Sequence, residues 1–173
     1  MSESVPASIL VHATGIAALG LSVRSTLYRC DRGLHRGYLL AGILWAVNNF
    51  LLGATTGAAL SCVSVARTGT ATLVCQRDNR IRIGACALFI LISLATASLT
   101  WRGWLTLLPV AASVLVTYAA FFLSGPRLRL ALLISALLWT QNVLSLHSPE
   151  QIGANLLGIV AAALGLWRTR KIA

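Results

Sequence analysis

Apolar residues along this chain gather into seven runs, at roughly 7–23, 38–54, 56–74, 83–100, 104–124, 130–147 and 151–167. The gaps between them are short and hold the polar and turn-forming residues, as in Gly53-Ala54-Thr55-Thr56-Gly57 and His147-Ser148-Pro149-Glu150. A helix needs about 20 such residues to cross a hydrocarbon core of about 30 Å. The pattern therefore predicts an all-α membrane protein of seven transmembrane helices, with nothing left over for a soluble domain. No basic residue precedes the first run and no small-residue cleavage site follows it, so that run reads as a retained span.

One pentapeptide recurs. Leu44-Trp45-Ala46-Val47-Asn48 and Leu138-Trp139-Thr140-Gln141-Asn142 lie at an offset of 94 residues, each inside an apolar run. A crossing with its turn takes roughly 23 to 25 residues, so the offset is about four crossings. An even number restores the direction, and the two copies are expected to run parallel. The offset pairs spans one to three with five to seven and leaves span four single. The expected layout is two parallel triple-helix bundles joined by a linker helix (3+1+3), with residues 1–78, 79–102 and 103–173 as first bundle, linker and second bundle.

Composition strengthens this reading: 57% of residues are hydrophobic, 10% are charged, and the mean hydropathy is +0.81. A net charge of +10 would suggest nucleic acid in a water-soluble chain. Here its placement matters more. Arg24, Arg29, Arg32 and Arg36 follow span one; Arg77, Arg80 and Arg82 follow span three; Arg127 and Arg129 follow span five; Arg168, Arg170 and Lys171 follow span seven. Arg102 in an alternate gap and Arg67 within span three complete the set. Such a bias sets the N-terminus outside and the C-terminus in the cytoplasm. The expected partner is the lipid bilayer rather than nucleic acid. Cys30, Cys62, Cys75 and Cys86 lack the paired spacing of a metal or redox motif, so no metal or cofactor is expected. Trp101, Trp104 and Trp167 stand at interface depth as anchors.

Several short segments carry a family resemblance. In the first half they are Phe50-Leu51-Leu52-Gly53, Gly57-Ala58 and Arg67-Thr68. In the second they are Leu107-Leu108-Pro109-Val110, Thr117-Tyr118-Ala119, and Trp139 with Asn142. The chain resembles the SWEET, SemiSWEET and PQ-loop (MtN3-like) superfamily of small transporters, and more closely the YgjV family of bacterial inner-membrane proteins. The resemblance implies a solute pathway between the bundles, touched by a tryptophan on the second helix and an asparagine on the third helix of a bundle. Trp139 and Asn155 match those roles, and the offset carries them onto Trp45 and Ser61. The chain departs from the SWEET pattern at its prolines, since Pro109 alone lies deep within a span while Pro6, Pro126 and Pro149 sit at ends or in loops.

Without the family, spacing still groups polar residues. Trp45 with Asn48, and Trp139 with Asn142, are three apart and share a helix face, an aromatic surface beside an amide that suits sugars and other amphipathic solutes. The same amides, with Asn49 and Gln141, also serve as hydrogen-bonding links between adjacent helices, and the tryptophans also suit an interfacial belt. Arg67 is costly, at least ~2.5 kcal/mol for a cation in mid-span. It must snorkel to the cytoplasm, bond to helix carbonyls or amides, or meet an anionic solute. Glu3, Asp31, Asp78 and Glu150 all lie outside the spans or at their edges, so ion coupling through an embedded carboxylate is not expected. His12 reads as a packing residue. The expected function is facilitative transport of a small polar solute, a sugar being one candidate, with no enzymatic chemistry and with self-association open to it. The alternative is a membrane structural or accessory protein that keeps the fold without transport. The expected solute site is Trp45, Asn48, Ser61, Arg67, Trp139, Asn142 and Asn155, of which Trp45, Ser61, Trp139, Asn142 and Asn155 are expected to converge on one cavity near the midplane.

Overall fold

The computed structural model describes residues 5–28, 30–53, 55–99, 101, 103–104, 107–145 and 149–170, with the backbone alone for 5–8, 55–57, 141–143, 145, 149–151, 154 and 169–170. Among the described residues the chain is all helix, without strands: α1 (Val5–Leu27), α2 (Asp31–Leu51), α3 (Thr55–Val74), α4 (Asn79–Leu99), α5 (Leu107–Phe122), α6 (Gly125–Ser145) and α7 (Pro149–Arg170). These match the seven apolar runs, and α1, α2, α4, α6 and α7 extend into arginine-bearing flanks. α2 begins at Asp31 rather than near 38, and α6 at Gly125 rather than near 130. Arginine is a good helix former, so the helix outlasts the apolar stretch.

The surface is what an apolar solvent selects. Phe50, Leu73 and Leu99 are 77, 80 and 87% exposed, while Arg129, Thr117 and Ser25 are fully buried. A water-soluble domain sorts its side chains the other way. Among the described residues, Ile9–Leu27 and Asn79–Leu99 are long and apolar enough to cross a membrane, and only 22% and 17% of them is buried in the molecule. Ala58–Val74, Leu107–Phe122 and Asn155–Arg168 form shorter apolar helices.

Packing follows the chain and then closes on itself. α2 packs against both α1 and α3, α6 against both α5 and α7, α1 meets α7, and α3 meets α5, with α4 set against α3 and α5. Helix boundaries repeat at the sequence offset: shifted by 94 residues, Asp31–Leu51 falls on Gly125–Ser145, and Thr55 falls on Pro149. Small residues permit the closest crossings. A Cβ on Gly165 of α7 would lie 2.5 Å from the Thr26 carbonyl oxygen of α1, and one on Gly37 would lie 2.0 Å from Ser25 Oγ.

The arginine-bearing ends share one side of the molecule. The α1–α2 corner bonds the α5–α6 corner through Asp31, Gly125 and Arg129, Arg82 at the start of α4 bonds the Phe121 carbonyl at the end of α5, and the end of α7 lies on the end of α1. The prolines correct one expectation. Pro109 is not deep in a span but third in α5, in a first turn where no intrahelical N–H bond is lost; Pro6, Pro126 and Pro149 also occupy first turns of α1, α6 and α7. All four prolines start helices, and none kinks one.

Candidate functional site

The amides expected to face a solute are engaged with neighbouring helices. Asn48 on α2, 3% exposed, donates through Nδ2 to the Val11 carbonyl at 2.7 Å and to Thr14 Oγ1 at 3.0 Å, both on α1. One turn earlier, the Trp45 ring N–H donates to Ser22 Oγ of α1 at 3.2 Å. Three-residue spacing thus does put Trp45 and Asn48 on one face, and that face meets α1. Gly15 makes room there, since a Cβ on it would lie 3.3 Å from Asn48 Nδ2.

Ser61 on α3 accepts from Asn49 Nδ2 of α2 at 3.1 Å, and Asn155 on α7 donates to Thr140 Oγ1 of α6 at 2.8 Å. Residues 61 and 155 are 94 positions apart, the repeat offset, and each joins its helix to the preceding one, α3 to α2 and α7 to α6. Trp139 is half-buried on α6. The side chains of Gln141 and Asn142 lie outside the described residues. The exposed rings of Trp101 and Trp104 meet edge to face at 6.3 Å, and Trp167 is 55% exposed, as interface anchors would be.

Arg67 reaches from α3 to α5. It is 6% exposed, which removes the snorkelling option, and its bonds are to neutral groups: Nη1 to Thr117 Oγ1 at 3.2 Å and to the Ser113 carbonyl at 3.4 Å on α5, and Nη2 to Ser64 Oγ at 2.9 Å. Ser113 Oγ lies 3.0 Å from Ser93 Oγ of α4, so three helices meet at this polar layer. Thr117 is itself held by a 2.7 Å bond to the Ser113 carbonyl. Under the offset the α3·α5 layer corresponds to the α7·α1 contact, where position 67 becomes Ala161 and position 117 becomes Val23. The two contacts differ in extent, α7 lying along α1 far more closely than α3 along α5, and they differ in chemistry.

A second buried arginine sits at the arginine-bearing end. Arg129 Nη1 donates to Asp31 Oδ1 at 2.8 Å and to the Gly125 carbonyl at 3.1 Å, and its Nη2 donates to the Tyr28 carbonyl at 2.8 Å. Gly125, at φ +56°, returns its N–H to Asp31 Oδ2 at 2.8 Å, a backbone shape that favours glycine. Leu34, Ala119, Leu128 and Ala131 pack beside this knot. It bolts the two corners together.

A family model described as a bacterial inner membrane protein, Imp-YgjV, matches residues 9–172. The chain belongs to the Imp-YgjV family. No curated protein and no solved structure matches it. Membership of a family of inner membrane proteins accounts for the apolar exterior, on which many leucines and Phe50 are exposed.

Sequence reasoning missed Asp31, Arg129, Ser93 and Ser113 as partners. The first pair stands 98 residues apart, a separation that gives no signal of contact. The serines gave none, because a hydroxyl within an apolar run has no spacing that announces its partner.

Proposed function

We propose that this inner-membrane protein is a multi-pass, SWEET-like facilitative carrier for a small polar solute, built as two parallel triple-helix halves joined by α4. The observation that carries the reading is the paired seam. α3 meets α5 and α7 meets α1, the second contact the more extensive, and these pairs exchange under the same sequence offset that carries α2 onto α6. Transporters built from parallel repeats hold their solute at the interface between repeats and move one repeat against the other. In this reading the seven helices are seven crossings and the arginine-bearing side is cytoplasmic. Trp45 and Trp139 offer aromatic surfaces for the solute, and transport involves no covalent chemistry.

One observation favours a structural or accessory role instead. Asn48, Ser61 and Asn155 each bond a helix of their own half, which is how polar side chains hold membrane helices together. Proteoliposomes separate the two. A carrier admits radiolabelled hexoses or another member of a panel of small polar solutes saturably and without concentrating them. The same solute raises the apparent Tm of the purified protein by mass action, and Trp139→Ala reduces both effects. Entry at the rate of empty liposomes across the panel, with no thermal shift, supports the accessory role.

Topology is tested separately. In a cysteine-free background, a single cysteine at position 2 is expected to react with a membrane-impermeant maleimide from the periplasm, and one at position 173 only after the inner membrane is opened. Labelling of both from the same side would refute an odd number of crossings.

A further inference from the structure

We infer that the α3·α4·α5 layer around Arg67 is a binding site for a small free anion, carboxylate or halide. A guanidinium carries five N–H donors. Three hydrogen bonds from Arg67 reach Ser64, Ser113 and Thr117, and Nε has no acceptor although it is buried. That edge is the fork with which arginine grips a carboxylate.

The charge is equally uncompensated. Every partner of Arg67 is a neutral hydroxyl or carbonyl. The acids of the chain stand elsewhere: Asp31 on Arg129, Asp78 ahead of α4, Glu150 as second residue of α7, and Glu3 outside the described residues. A buried cation with only neutral neighbours is costly, and an anion beside it removes most of that cost. Arg82 and Arg129 also hold a buried Nε without an acceptor, but neither is at once fully buried and without a charged or aromatic neighbour. Arg129 has a carboxylate, and Arg82 stacks at 5.1 Å on the half-exposed Phe122 ring at the end of α5.

The source is a free solute rather than a lipid headgroup. Arg67 is seven residues from the end of α3 at Val74, a rise of about 10 Å along the helix. Headgroups sit at that end, and the guanidinium is turned inward onto α5. The inference concerns binding and does not require that the protein transport anything. An anion gripped here bridges α3 to α5 across the seam between the halves, where the equivalent Ala161 on α7 has no charge to offer.

The test uses the full-length protein in lipid-free detergent, at constant ionic strength, with sodium acetate or sodium chloride progressively replacing the bulky sodium salt of HEPES. The apparent Tm is expected to rise saturably by several degrees with at least one small anion. Arg67→Met should fold and lose the rise, and Arg67→Lys, which keeps the charge without the fork, should show it only at several-fold higher concentration. Arg32→Gln on the exposed flank should keep it. A wild-type Tm indifferent to both anions overturns the site, whether or not Arg67→Met folds. An undiminished rise in Arg67→Met also overturns it, by assigning the effect to the surface arginines. Hexose uptake that is insensitive to acetate and chloride would leave the carrier reading standing while removing the anion from it.

Discussion

Exchanging Asp31 for Ala lowers the stability of the folded chain by about 3 kcal/mol, measured by denaturant titration in detergent. The carboxylate meets Arg129, whose side chain is only 2% exposed, and it also accepts the Gly125 N–H. Removing it strands a buried cation and an orphaned amide together. The estimate stays at the lower end of the range for broken buried pairs, because the Asp31 side chain is 30% exposed and water screens it. The reverse change is milder. Arg129→Met leaves a carboxylate that can reach water, so its expected cost is about half as large. The double variant Asp31→Ala with Arg129→Met should recover part of the loss, since an apolar pair has no desolvation to repay. Equal losses from both single changes would mean that the knot is no more than a surface contact.

Gly165→Ala destabilises by about 1 to 3 kcal/mol, while Gly158→Ala on the same helix is neutral or stabilises by up to about 1 kcal/mol. The opposite signs come from what each new methyl would meet. At position 165 it falls 2.5 Å from the Thr26 carbonyl oxygen, a backbone atom of α1 that yields only if the helices separate. At position 158 nothing lies within 4 Å, so only the helix-propensity gain remains. The same denaturant titration reads both. A stabilising Gly165→Ala would show that α1 and α7 do not cross this closely in solution.

Seven helices were legible because a run of apolar residues is a local property, readable without knowing any neighbour. The repeat was legible for a related reason, and the spacing of the pentapeptide anticipated that α2 and α6 are equivalent helices. Pro109 misled because the apolar run begins near 104 whereas α5 begins at Leu107. Hydropathy marks what lipid can cover and does not mark where a helix turns. Arg67 was legible as a problem, a cation inside a span, but the choice among its three solutions was not.

Partners decide that choice, and they come from 46 and 50 residues away in the case of Ser113 and Thr117. The same holds for Asn48 and Asn155. Spacing put Asn48 on a face with Trp45 and the family resemblance singled out Asn155, yet neither tells whether a face meets a solute or another helix. The sequence by itself determined the solvent, the helices, their number and the interval at which they repeat, because each follows from residue type and short-range order. Tertiary structure alone decided which arginine found a carboxylate and which was left among hydroxyls. That outcome depends on which helix faces are brought together across the seam, and a buried charge is stabilised or stranded by contacts within a few ångströms that no local pattern specifies.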